Sequence, residues 1–167
     1  MNPIRLIAKG TAQHINPASI GRATSGEGIT AALAAGMCAG MPRDWWLAAR
    51  LKWADDWSGI KDLELYLWIS AVDIAIEKGW KVPKGREYLR KMARLAIFEM
   101  AAPMQFKQEN GIDCDAGRAE FLGMDKSRYS RVWGERYEMV KRALDTMTSD
   151  AFQYLLQNSL DISATAS

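Results

Sequence analysis

The pattern of apolar and polar residues along the chain is typical of a helical protein. Apolar residues recur at helical spacing in several stretches, and no stretch shows sustained strand alternation bounded by hairpin turns. The pattern therefore predicts an all-α fold. The predicted helices cover residues 29–39, 43–57, 60–78, 86–101, 115–122 and 126–142, and a loop containing Asn110-Gly111 leads to the last two.

The helix predicted for residues 43–57 carries a stripe of aromatic side chains. Trp45, Ala49, Trp53 and Trp57 follow one another at steps of four, so they share one face. Such a stripe is typical of a core or of a protein interface. Three tryptophans are the candidates for contacts with another protein: Trp45, Trp46 and Trp80.

The helix predicted for residues 60–78 is more apolar, and we expect it to be mostly buried. Its apolar residues occupy one face and then widen it. The face consists of Leu63, Leu67, Ala71 and Ile74, and it is broadened by Tyr66, Ile69 and Ile76.

Breaks in these patterns predict four segments. Residues 1–28, rich in turn-forming residues, are expected to form a flexible N-terminal arm, and 29–80 a tryptophan-rich helical part. The basic loop before residue 86 carries Pro and Gly and is the expected boundary. Residues 86–147 then form a second module, and 148–167 a C-terminal helix with a frayed tail.

Composition narrows the possible chemistry. The net charge of +2 is too small to indicate nucleic-acid binding without local clustering. Two cysteines and one histidine cannot supply the four ligands of a structural zinc site, so we expect no metal, no cofactor and reduced cysteines. The apolar run 29–39 is too short to cross a bilayer, which predicts no membrane contact and a cytoplasmic protein.

Residues 115–142 show the packing pattern of a helix-turn-helix. Asp115 can cap a helix that ends at Gly123, where glycine takes a left-handed conformation at least cost. Ala119 is small where the two helices cross. Tyr129 and Val132, three residues apart, are expected to anchor the second helix. Residues 86–147 are thus expected to form a helix-turn-helix DNA-binding module, in which helix 86–101 packs behind helices 115–122 and 126–142.

The outward side of the second helix is basic. Residues 126–142 hold six Lys or Arg against two Glu, a local charge of +4. The first turns of such a helix would face base edges in the major groove, while other side chains contact phosphates. The candidate DNA-binding residues are Lys126, Ser127, Arg128, Ser130, Arg131 and Arg136, with Arg118 on the preceding helix.

The same segment resembles a known family. Leu122-Gly123, Ser127, Tyr129 and Arg131 are similar to the C-terminal helix-turn-helix of Q-type late-gene antiterminators of lambdoid phages. The resemblance implies binding to double-stranded DNA near a late promoter and loading onto paused RNA polymerase that carries sigma. It also implies a zinc-free member of the family. The tryptophan-rich part would then contact polymerase or a second copy of the chain.

Other functions remain open at this stage. An enzyme is disfavoured, because no nucleophile–base pair stands in a motif and His14 lies in an expected loop. A repressor or a phage packaging subunit could use the same helix-turn-helix. A helical adaptor that binds only proteins would account for the tryptophan stripe.

Overall fold

The computed structural model describes residues 36–82 and 86–165. Residues 36–38 are helical, and the further elements are α1 (Arg43–Ala54), α2 (Ile60–Glu77), α3 (Glu87–Ala101), α4 (Met104–Glu109), α5 (Asp115–Leu122), α6 (Lys126–Arg128), a π-helical turn (Tyr129–Trp133) and α7 (Gly134–Thr165). No strand occurs in the described ranges, which confirms the all-α prediction. The expected arm 1–28, with His14, lies outside them.

The chain divides into two compact units. Of the residues that the structure describes, 36–59 and 147–165 belong to one unit, and 60–82 and 86–146 to the other. The boundary expected before residue 86 therefore falls inside the second unit. Helix α7 contributes residues to both units.

In the first unit, α1 and residues 36–41 pack against the C-terminal part of α7. Met37 and Leu155 form a small buried cluster, against which Trp53 packs. Two hydrogen bonds from α7 side chains hold residues 37–39, which precede α1. The Tyr154 hydroxyl donates to the Ala39 carbonyl (2.5 Å), and the Asn158 side-chain amide donates to the Met37 carbonyl (2.9 Å).

Helix α1 ends three residues earlier than predicted. Asp55 adopts a left-handed conformation (φ 55°), which Asp tolerates better than most residues, and its N–H donates to the Arg50 carbonyl. The next residue, Asp56, pairs with the Arg50 guanidinium and accepts a hydrogen bond from the Ser58 N–H (3.0 Å). This polar turn ends the helix before Trp57.

In the second unit, α3 is the central helix. Its buried side chains include Leu89, Met92 and Ile97, and it packs on α2 and α5. An ion pair joins α2 to α3, because the Glu64 carboxylate accepts from both Arg90 and Arg94 at 2.8–2.9 Å. The prediction that helix 86–101 packs behind helix 115–122 is confirmed.

Helix α2 has two apolar faces, of which only one is covered. Leu63, Leu67 and Ala71 are buried, as predicted. Ile69 and Ile76, which were expected to widen the buried face, are 47% and 69% exposed. The prediction that Ile69 and Ile76 are buried was wrong, because both side chains lie on the side of α2 that is opposite to α3.

Helix α4 was not predicted. Its six residues were expected to be loop, since a single turn and a half shows no periodicity. Among the described helices, none combines the length and the apolar content that a membrane span would require.

Candidate DNA-binding surface

The turn between α5 and α6 has the geometry that its sequence predicts. Gly123 is left-handed (φ 71°), and its N–H reaches back to the carbonyls of Ala119 and Glu120. The N–H of Met124 also donates to the Ala119 carbonyl, at 3.0 Å. This is the hydrogen-bonding pattern of a glycine C-cap. Ala119 itself is buried, as expected for a residue at a close helix contact.

The residue that precedes α5 is not the one that the sequence predicted as its N-terminal cap. Cys114, not Asp115, is the residue that precedes α5, and Asp115 lies in the first turn, where its carboxylate pairs with Arg118 (3.3 Å). Helix α6 is capped by Asp125, whose carboxylate accepts from the Arg128 N–H at 2.8 Å. The Asp125 cap could have been predicted from the sequence, because Asp is a preferred N-cap residue.

A π-helical turn follows the cap and changes which side chains point inward. Tyr129 and Trp133, four residues apart, are both buried, and Tyr137 continues the same buried row. A π-helix has more residues per turn than an α-helix, so residues four apart align more closely. Val132, expected to anchor the helix beside Tyr129, is instead 42% exposed. That prediction was wrong because it assumed α-helical spacing.

The outward side of this segment is a polar and basic surface. All five residues expected to face outward from its first turns are exposed: Lys126, Ser127, Arg128, Ser130 and Arg131. No acidic side chain of the described residues pairs with the three cations among them. We call these five residues the outer basic surface.

One member of the outer basic surface is held in place by another. The Arg131 Nε donates to the Ser127 Oγ at 3.1 Å, and a second guanidinium nitrogen donates to the same oxygen. The side chain of Arg131 therefore lies along the helix rather than extending freely. Glu135, one turn further on, is also exposed and limits how far the positive potential extends.

Arg136 and Arg118, two further candidates, do not belong to this surface. The guanidinium carbon of Arg136 lies 4.8 Å from the ring centroid of Trp133 and 5.2 Å from that of Trp80. Burial lowers the pKa of Arg136. Arg118 lies inside, with a side chain that is only 17% exposed. It donates to the Glu99 carboxylate (3.1 Å) and to the Ile112 carbonyl (3.2 Å).

The Glu99 carboxylate ties α3, α5 and the start of α7 together. It accepts from Arg118, from the Tyr137 hydroxyl (2.6 Å) and from the Lys141 ammonium (2.5 Å). Burial alone would raise the pKa of Glu99, but these donors and positive charges outweigh it, so the pKa is lowered. The pKa of Tyr137 is raised, mainly by burial. We call these four residues the Glu99 cluster.

A close backbone contact also holds α5 in place behind the outer basic surface. We call this contact and the Glu99 cluster together the frame. Gly117 in α5 lies against Gly111 so tightly that a Cβ on Gly117 would fall 2.7 Å from the Gly111 Cα. Gly111 is itself left-handed (φ 62°). This contact between two glycines was not predicted from the sequence. Its one signal was a glycine inside a helix, which indicates a packing reason.

The three tryptophan candidates are half-buried within their own units. Trp45 packs edge-on against Tyr154 (6.5 Å between ring centroids), and the Arg50 guanidinium lies over Trp46. In the other unit, Trp80 lies beneath Arg136. All three side chains therefore contribute to packing, and all three residues are partly exposed.

The described residues contain no group of three or more His, Cys, Asp or Glu side chains placed to hold a metal ion. Comparison with known proteins adds no family: no protein-family model, no curated protein and no solved structure matches this chain.

Proposed function

We propose that this chain is a sequence-specific DNA-binding regulator of transcription, and that α5 with the helix beginning at Lys126 forms its helix-turn-helix. The observation that carries the proposal is the outer basic surface. Five exposed polar or basic side chains stand on the first turns of a capped helix, directly after a tight glycine turn. That is where a recognition helix presents side chains to the major groove.

Each exposed residue has a role in this proposal. Arg128, and Arg131 once it releases the Ser127 hydroxyl, can donate two parallel hydrogen bonds to guanine, a contact worth about 1–3 kcal/mol of discrimination. Lys126, Ser127 and Ser130 suit phosphate contacts, which position the protein without reading sequence. Val132, exposed beside Arg131, offers an apolar contact for a thymine methyl group.

The frame behind the surface supports the same proposal. Recognition needs side chains held in one orientation, and the Glu99 cluster joins α3 and α5 to the beginning of α7. The net charge of only +2 gives little non-specific attraction to DNA. A second anchor is therefore required, either a second copy of the chain or RNA polymerase.

From the resemblance to Q-type proteins we propose that the regulation is late-gene antitermination in a phage-infected bacterium, through RNA polymerase carrying sigma. No enzymatic activity and no cofactor form part of the proposal. A repressor is the second candidate. The exposed apolar face of α2 favours it, because repressors of this class dimerise to read two half-sites about one helical turn apart.

Two experiments test the proposal in order. Selection from a random duplex library should enrich one sequence class, and failure to enrich any sequence would remove the DNA-binding claim. A run-off transcription assay, with the selected sequence placed upstream of a terminator, then separates the two candidates. Antitermination predicts more read-through in the presence of the protein, whereas a repressor lowers initiation and leaves the read-through fraction unchanged.

A further inference from the structure

A small hollow lies beside the turn that precedes the outer basic surface. Its volume is about 120 Å³. It is lined by Glu87, Tyr88 and Lys91 from α3, by Leu122 at the end of α5 and by Gly123 in the turn. An oxygen atom of a phosphate is close to a water molecule in size, so the hollow has room for several such groups. We call it the turn hollow.

The ammonium group of Lys91 lies beside the exposed backbone of the turn. A Cβ on Gly123 would fall 3.9 Å from the Lys91 Nζ, and Gly123 itself is exposed. Lys126, the first residue of the outer basic surface, follows three residues later, so its Cα lies within about 11 Å of the Gly123 Cα. The positive charge of Lys91 therefore extends that surface across the turn, from a helix that precedes the helix-turn-helix.

The walls of the turn hollow are held in place by the core. Tyr88 and Leu122 are buried. The Tyr88 ring packs on Trp133 in the π-helical turn, with 5.4 Å between the ring centroids. A group that enters the hollow therefore contacts side chains whose positions the fold already sets. Binding there orders few additional side chains, which lowers its entropic cost.

The ion pair that Lys91 forms within α3 is a weak one. Its partner is Glu87, one turn earlier, at 3.4 Å, and the two side chains are 40% and 63% exposed. Surface pairs of this kind contribute little to stability, and salt screens them. Among the five residues that line the turn hollow, Glu87 carries the only carboxylate. The Lys91 ammonium can therefore exchange this carboxylate for another anion at little cost.

We propose that Lys91 binds a DNA phosphate at the turn hollow, and that Glu87 competes with this phosphate for the ammonium group. The proposal rests on the proposed function. A helix that enters the major groove by its first turns brings the turn before it close to the phosphates that border the groove. A lysine suits this contact, because its ammonium is a compact charge that needs no fixed approach direction.

Duplex binding by Lys91→Met, measured by fluorescence anisotropy at several salt concentrations, tests the contact. The selected duplex and an unrelated duplex should both lose affinity, by roughly three- to tenfold, because a phosphate contact does not read sequence. The slope of log affinity against log salt should fall in magnitude by about one, since one fewer counterion is released. A loss confined to the selected duplex would indicate a base contact and overturn the proposal.

Lys78→Met is the matched control. Lys78 lies in the same unit, pairs with a glutamate (Glu77, 3.1 Å) and exposes 49% of its side chain, but it does not line the turn hollow. This variant removes the same charge, yet its affinity should stay within about twofold of the wild type and its salt slope should not change. Circular dichroism should show both variants folded. Equal losses in the two variants would overturn the proposal.

The competition between Glu87 and the phosphate is tested by Glu87→Gln. It should raise the affinity for both duplexes by about twofold, because Lys91 no longer has to leave a carboxylate. The gain should shrink when the same substitution is made together with Lys91→Met. A gain of the same size with and without Lys91 would mean that Glu87 only repels DNA, and would overturn the competition.

Failure of this proposal and failure of the proposed function give different results. If Arg131→Ala weakens binding to the selected duplex while Lys91→Met behaves like Lys78→Met, the helix-turn-helix stands and the phosphate contact of Lys91 is refuted. If the wild type binds no duplex, both proposals fall together.

Discussion

The Glu99 cluster and the outer basic surface lie in the same short stretch of chain but use their charges in opposite ways. In the Glu99 cluster, Arg118 and Lys141 both form ion pairs with the Glu99 carboxylate at 2.5–3.1 Å, and the three side chains are largely shielded from solvent. On the outer basic surface, Lys126, Arg128 and Arg131 are exposed and have no acidic partner among the described residues. The fold pairs the first set of cations with a carboxylate and leaves the second set exposed at the surface.

This difference shows that counting charges along the sequence is a poor guide to a binding surface. Arg118 and Arg131 lie thirteen residues apart and look equivalent in the sequence. Only the tertiary partner of Arg118 removes it from the candidates. Substitutions in the Glu99 cluster should therefore lower the stability of the fold, whereas substitutions on the outer basic surface should lower only the affinity for DNA.

The largest effect on the frame is expected from Glu99→Gln. It leaves two cations without their carboxylate, and breaking a buried pair costs about 3–5 kcal/mol. Because Lys141 keeps a third of its side-chain exposure, we expect about 2–3 kcal/mol of lost stability. Urea unfolding followed by circular dichroism measures it. Lys126→Ala, on the outer basic surface, is the control and should change stability by less than about 0.5 kcal/mol. Equal effects would mean that the Glu99 cluster does not hold the frame.

Gly117→Ala should cost about 1–3 kcal/mol, because the added methyl overlaps the Gly111 backbone, which has no flexible side chain to move aside. The same urea titration measures this loss, together with weaker binding to the selected duplex. An unchanged unfolding midpoint would show that the α5 contact with the 110–112 loop is loose.

Acid should weaken the frame through Glu99. Its folded pKa lies below the ordinary 4.5, so its stabilisation is fully present above that pH and is lost as pH falls through the lower folded value. The stability difference between wild type and Glu99→Gln should therefore be constant from pH 7 to pH 5.5 and shrink below 4.5. A difference that grows on acidification would contradict the sign of this linkage.

The smallest effect is expected from Gly134→Ala, and it is stabilising. Gly134 has helical dihedral angles, and a Cβ there would lie 3.6 Å from Tyr129, an ordinary contact. Alanine is favoured over glycine in a helix by about 0.5–1 kcal/mol. A rise in the unfolding midpoint with unchanged duplex affinity would show that the π-helical turn does not depend on this glycine.

Local signals in the sequence predicted the helix boundaries around the turn closely. Helix α5 ends where Gly123 predicts, and the next helix begins at Lys126 as expected. Such boundaries depend on the conformational preferences of single residues, so they can be recognised from sequence.

The orientation of individual side chains could not be predicted in the same way. Arg118 turns inward because of Glu99, nineteen residues away, and Val132 turns outward because the helix widens at Tyr129–Trp133. Ile69 and Ile76 are apolar yet exposed, which no periodicity rule for a helix packed on one side would predict. These features depend on long-range packing or on departures from α-helical geometry.

The central claim is tested most directly by measuring how tightly two variants, Arg131→Ala and Arg142→Ala, bind the selected duplex. Both residues are exposed cations of the same unit, but only Arg131 belongs to the outer basic surface. Fluorescence anisotropy at fixed salt should show at least a tenfold loss for Arg131→Ala, corresponding to about 1.4 kcal/mol, and less than a twofold change for Arg142→Ala. Equal losses in the two variants would mean that overall charge alone attracts DNA, and would contradict the assignment of a reading surface.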